Sequence, residues 1–133
     1  MFVKSMVFDI NYDRIKHLVE VEEDILAVFT IDSSWKSDNL TIAKDVTAID
    51  SHFINNITNI LKNNFNIQKN IYDDIIGYLK WKILEFSEIR IMMIYENDRT
   101  IIVLIKKDTD LGKTADTIIG YYYDNEETPK SLF

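Results

Sequence analysis

The run Thr100-Ile-Ile-Val-Leu-Ile-Lys-Lys-Asp108, continued by Thr109-Asp-Leu-Gly-Lys113, decides the fold. Residues 100–105 are almost wholly apolar and rich in β-branched side chains, which predicts a strand buried on both faces at the centre of a sheet. A polar loop then leads into a helix starting near Asp110, with Leu111, Ala115, Ile118, Ile119 and Tyr122 along one face. Upstream, Asn97-Asp98 is a turn signal, and before it Ile89, Ile91, Met93 and Tyr95 alternate with Arg90, Met92 and Ile94. Leu79, Trp81 and Ile83 alternate with Lys80 and Lys82 until Leu84 breaks the pattern, so residues 79–86 read as the first strand of a three-strand meander.

The amphipathic segment before this meander predicts a helix. With Thr47 as cap, Ile49, Phe53, Ile54, Ile57, Ile60, Leu61 and Phe65 share one wide arc, opposite Ser51, His52, Asn55, Asn59 and Lys62. An arc that wide faces a sheet and keeps an edge for a neighbour. Ile67, Ile71 and Ile75 continue at i, i+4 spacing, which predicts a second short helix ending at Gly77. Near the N-terminus, Tyr12, Ile15, Leu18 and Val19 lie on one face of a helix over 11–21, capped by Asn11 or Asp9. Residues 25–32 form a strand, 33–39 a turn, and Leu40, Ile42 and Val46 a second strand, giving a hairpin. The order helix, two strands, helix, three strands, helix defines an α+β domain whose helices pack on a mixed or antiparallel sheet.

The bulk numbers fit this architecture. A chain of 133 residues suits one domain, within the usual range of roughly 100–200. A composition of 47% hydrophobic and 28% charged residues is that of a globular protein. Residues 1–124 are expected to form the domain and 125–133, polar and containing Pro129, a loose tail. The absence of cysteine excludes disulfides and thiolate metal sites. Residues 1–7 hold too short an apolar run for a signal peptide, and no membrane-spanning stretch occurs, so a cytoplasmic location without membrane insertion is expected. The net charge of −7 opposes phosphate binding, and Lys80, Lys82, Lys106 and Lys107 are too scattered to outweigh it, so no nucleic-acid partner is expected.

No catalytic, cofactor or metal residue emerges. Leu111-Gly-Lys-Thr114 follows a strand and opens a helix, but a phosphate-binding loop requires a glycine where Lys107 stands, and Asp108 and Asp110 would repel a nucleotide. Asp108 or Thr109 is better explained as a helix start favoured by the macrodipole. His17 and His52 fall on polar helix faces without enough companions for a metal site. Asp73/Asp74 lack the twelve-residue calcium-loop pattern, and Ser33, Ser34 and Ser51 lack a nucleophile context. Trp81 and the triplet Tyr121-Tyr122-Tyr123 belong instead to residue types enriched at protein interfaces. Lys80 and Lys82 suit an edge strand, which must be guarded or used.

The element order, together with 100–113 and its Leu111-Gly112 helix start, resembles the roadblock family, relatives of a dynein light chain. The likeness spans about residues 10–124 and implies a five-stranded sheet with helices on its faces. It also implies a homodimer or heterodimer in which the strand after the central helix pairs across a twofold axis. Here that strand would be 79–86, with Leu79, Trp81, Ile83, Ile54 and Leu61 at the interface. The resemblance further implies a non-catalytic module, without cofactor, that binds or regulates a Ras-like small GTPase or scaffolds a larger complex. The helix face of His52, Asn55, Asn59 and Lys62 is the expected partner surface. Two places depart from the pattern. Many family members have a glycine in the first hairpin turn, where this chain has Trp35-Lys-Ser-Asp38, and the 67–77 segment is longer than usual. The same element order also suits a longin- or profilin-like fold, or a PAS-like domain that senses a small ligand.

Overall fold

The computed structural model describes residues 10–64 and 72–123. In chain order these form α1 (Ile10–Val21), β1 (Ile25–Asp32), β2 (Ser37–Ile42), α2 (Ser51–Asn64), β3 (Tyr72–Asp73), β4 (Gly77–Tyr78), β5 (Trp81–Glu85), β6 (Ile89–Tyr95), β7 (Arg99–Lys106) and α3 (Leu111–Tyr122). Five strands make one antiparallel sheet in the order β2-β1-β7-β6-β5, and β3 pairs with β4 in a separate small hairpin. The apolar run lies at the centre, as expected. Ile101, Val103 and Ile105 point to the face covered by α1 and α3, while Ile102 and Leu104 point to the face covered by α2. The pleat thus divides one strand between two cores.

Each helix is seated by the side chains that its periodicity placed on one face. Tyr12, Ile15, Leu18 and Val19 of α1 pack with Ile118 and Tyr122 of α3 over Val28, Met92 and Ile94. Ile54, Ile57 and Leu61 of α2 pack over Ala27, Phe29, Ile31, Ile91 and Met93. The α2 cap is Asp50, not Thr47: its carboxylate accepts from the Phe53 N–H at 2.9 Å, and its carbonyl accepts the first helical bond from Ile54. Ile49 therefore precedes the helix and meets Ile54 in the same cluster, a hydrophobic staple. Asp110, rather than Asp108 or Thr109, caps α3 by accepting from Lys113 N–H. Asp108 adopts a left-handed φ of 63°, and Thr109 is held by Arg90, whose Nη1 donates to its carbonyl and hydroxyl, each at 2.9 Å. The Arg90 Nε also meets Glu85 at 2.7 Å, so one guanidinium joins β5, β6 and the turn before α3.

Two expectations about these elements are corrected. The second strand begins at Ser37 and ends at Ile42, so Val46 lies outside it. Its register against β1 shifts between Val28 and Thr30, where Asn39 takes a φ of 58° as the extra residue of a bulge. Asn39 is anchored there: its side-chain amide donates to Thr30 Oγ1 at 3.2 Å, and its carbonyl accepts from the Tyr12 hydroxyl of α1. The short helix expected to end at Gly77 is absent from the described residues, 65–71 falling outside them; residues 72–78 form a hairpin instead. Its turn is built by Asp73, whose carboxylate accepts from the N–H of Ile75 at 2.7 Å and of Ile76 at 3.4 Å, and by Gly77 at φ +85°. At Ile75 this local turn chemistry decides the conformation. The Asp9 cap, Phe65 and the tail also lie outside the described residues.

Candidate protein-interaction surfaces

Two surfaces stand out, beginning with β5. On one side it pairs with β6; no strand among the described residues pairs with its other side. The Lys80 carbonyl accepts from Tyr95 N–H, and Phe86 N–H donates to the Ile89 carbonyl, so even-numbered residues bond inward. Antiparallel alternation then directs the N–H and C=O groups of Trp81, Ile83 and Glu85 outward. The Trp81 and Ile83 side chains are half-buried against the α1/α3 core, whereas Leu79, placed on their side by the alternation, packs against the α2-side core. Leu79 and Lys80 precede the strand, which releases Leu79 from its alternation. Ile54 and Leu61 are not at a spare edge of α2. At 3% and 0% exposure they point into their own sheet, and the outward apolar residue of α2 is Ile60, at 43%.

The second surface is the outer face of α2. His52, Asn55, Asn59 and Lys62 are all exposed on it, as amphipathicity implied. Asn55, Thr58 and Asn59 form one wall of an open cleft of about 550 Å³, and Ser34, Trp35, Lys36 and Ser37 of the β1–β2 turn form the other. Lys36 is the single charged residue of this lining, and α2 carries no acidic residue, on a chain of net charge −7. The turn side of the cleft was not legible as a surface in the sequence, because it arises from contact between segments some twenty residues apart.

That turn holds the place where the family pattern has glycine. Asp32 closes it with its carboxylate, which accepts from the N–H of Ser34 at 2.8 Å and of Lys36 at 3.0 Å. Trp35 takes the left-handed position at φ 62°, a conformation that glycine adopts freely and a large side chain does not. Its indole is half-buried against the α2-side core and lines the cleft. We expect Trp35→Ala to be less stable than Trp35→Gly by about 1 kcal/mol, since both lose the indole but only glycine relieves the backbone. Paired urea melts of the two variants check this.

The tyrosine triplet serves mainly the fold. Tyr122 is buried and donates to Glu96 Oε2; Glu96 also holds Arg99 at 2.6 Å, and the Arg99 guanidinium lies 5.2 Å from the Tyr12 ring centroid. Tyr123 packs edge-on against Tyr122, with the Lys80 ammonium 5.3 Å from its ring centroid, while Tyr121 projects outward. Burial, then the bond to Glu96, pushes the Tyr122 hydroxyl well above the ordinary tyrosine range. Burial, then the charges of Tyr78 and Glu96, pushes Tyr123 up to about 12. A raised folded-state pKa means that the unfolded chain loses these protons first, near pH ~10. Stability is therefore complete below about pH 10 and declines as pH rises toward about 12. Tyr122→Phe is expected to flatten that decline, measured as unfolding free energy from pH 9 to 12.

Among the described residues, no group of three or more His, Cys, Asp or Glu could hold a metal ion, and no helix is long and apolar enough to cross a membrane. No family model matches this chain, and no curated protein matches it in sequence. Among solved structures, the crystal structure of MglC from Myxococcus xanthus matches with a TM-score of 0.55 at 12% identity, covering 86% of this chain and 99% of that one. The fold is thus roadblock-like, an α+β sheet of five antiparallel strands with helices on both faces. At that identity the likeness speaks for the fold alone.

Proposed function

We propose that this chain is a non-catalytic protein-interaction module that pairs with a second copy through β5 and docks a Ras-like small GTPase through the outer face of α2. The observation that carries the reading is the open edge of β5 in a roadblock-like sheet: Trp81, Ile83 and Glu85 present three outward pairs of backbone groups. A twofold axis at Ile83 uses all of them, with Ile83 opposite its own copy and Trp81 opposite the copy's Glu85. Such a contact is isologous and joins two five-stranded sheets into one of ten. The half-buried Trp81 and Ile83 then lie beside the seam, and Leu79 at its end.

The α2 face supports the second part of the reading. Its amide groups, together with His52, Lys62 and the Lys36 side of the cleft, form an uncharged-to-basic surface on an acidic chain, suited to a partner with an acidic docking surface. The test is light scattering across a dilution series, followed by titration calorimetry against Ras-like GTPases in both nucleotide states. Asn59→Glu and Lys62→Glu should abolish GTPase binding and leave the dimer intact. If neither GTPase state binds the wild-type chain, the docking reading fails; if both variants bind like wild type, the α2 face is the wrong surface.

A further inference from the structure

The β3–β4 hairpin ends in the two most exposed large apolar side chains among the described residues, Ile75 at 92% and Ile76 at 82%. Its turn is ordered by the Asp73 carboxylate and by Gly77 in the left-handed region, so the two isoleucines are held outward rather than left to collapse onto the sheet. Adjacent apolar side chains displayed on a built turn mark a contact surface. Two residues, Leu79 and Lys80, separate this hairpin from the open edge strand β5.

We infer that the hairpin is a clasp, whose Ile75 and Ile76 close over the β5–β6 corner of a second copy of this chain. The inference rests on the proposed β5 dimer and gives it a second point of attachment. Antiparallel pairing about Ile83 sets the chain before Trp81 of one copy alongside the chain after Glu85 of the other. That corner carries Phe86 and Ile89, both half-buried in the chain's own α2-side core. Lys106 stands opposite Ile89 across the β6–β7 ladder, and Lys107 follows it, paired with Glu88 at 2.8 Å. The hairpin turn carries Asp73 and Asp74, both exposed. One end of the contact is therefore apolar and acidic and the other apolar and basic, and a twofold axis creates this match twice. The strand between runs in the opposite sense, with Lys80 and Lys82 toward the hairpin and Glu85 and Glu88 toward the corner, and the twofold axis sets these opposite one another as well. Opposed charge patches of this kind fix register and favour self-pairing over unrelated edges.

The test uses the full chain, sedimentation equilibrium and light scattering over a dilution series, with Ile75→Ser/Ile76→Ser as the principal variant. Because both side chains are exposed, its urea midpoint as a monomer should match wild type. The clasp predicts that its dimer dissociation constant rises by roughly tenfold or more. Asp74→Lys should weaken the dimer, and adding Lys106→Glu should restore it. A serine variant that dimerises as tightly as wild type overturns the clasp and leaves the β5 dimer standing. A monomeric wild-type chain overturns the dimer reading itself, and the clasp with it. If the dimer is unchanged but the variant alone fails to float with phosphatidylcholine–phosphatidylserine vesicles, the isoleucines face lipid and the clasp is wrong.

Discussion

Proline in place of Ile83 is expected to turn the proposed β5 dimer into a monomer while leaving the chain folded. The Ile83 N–H and C=O point away from β6, so the substitution breaks no bond of the intramolecular ladder. It removes the donor at the twofold axis in both copies and sets a ring where the two backbones must meet. Two hydrogen bonds and the close approach are lost together, so we expect dimer affinity to fall by about 100-fold or more, equivalent to about 2.7 kcal/mol. Lys82→Pro or Leu84→Pro does the reverse: each removes a bond to Met93 or Ile91 inside the sheet and lowers the unfolding free energy directly. Light scattering and urea melts on both kinds of variant separate interface from fold. An Ile83→Pro chain that stays dimeric at micromolar concentration would place the interface away from β5.

Phe29→Ala is expected to have the largest effect on stability. Phe29 is fully buried on β1 beneath α2, surrounded by Ile54, Ile57, Leu61, Met93 and Leu104 in the same cluster. Removing a buried phenyl ring costs about 3–5 kcal/mol through lost transfer energy and the cavity left behind. A domain's whole stability is about 5–15 kcal/mol, so the variant should be near its unfolding threshold at physiological temperature. Because the cavity opens under α2, the proposed partner binding through His52, Asn55, Asn59 and Lys62 should also weaken, which calorimetry would register. Thr41→Ala, at a half-exposed position of β2, serves as a near-neutral control.

How much of this was legible in the sequence depends on the range of the interactions involved. Residues 100–105 announced the central strand, because burial on both faces leaves no polar alternation to misread. The arc of α2 was equally plain, and with it the exposed face that is the candidate docking surface. Its cap was misplaced because Thr47 and Asp50 are both good caps, and only the geometry of Phe53 N–H chooses between them. The spacing of Ile67, Ile71 and Ile75 predicted a helix through to Gly77, although Asp73-Asp74 followed by Gly77 carried the turn signal that residues 72–78 obey. Reading that signal would have exposed Ile75 and Ile76 as a displayed pair. Ile54 and Leu61 were assigned to a neighbour because a helical wheel gives the width of an apolar arc but not how much of it the chain's own sheet consumes. The departure noted at Trp35 marked the right turn, yet the cleft it forms with Asn55 and Asn59 exists only once that turn and α2 are brought together.

The bulge at Asn39 bears on how far the sheet can grow. A sheet with two open edges can add copies without limit, and that is how fibrils begin. Here the edges are unequal. At β2 the extra residue twists the strand out of register, and the Tyr12 hydroxyl already occupies the Asn39 carbonyl. Pairing at β5, by contrast, consumes both open edges at once, because each copy contributes the same strand. In the proposed β5 dimer, polymerisation along the sheet would therefore terminate at two copies: the feature that blunts β2 would let β5 be adhesive without making the protein a filament former.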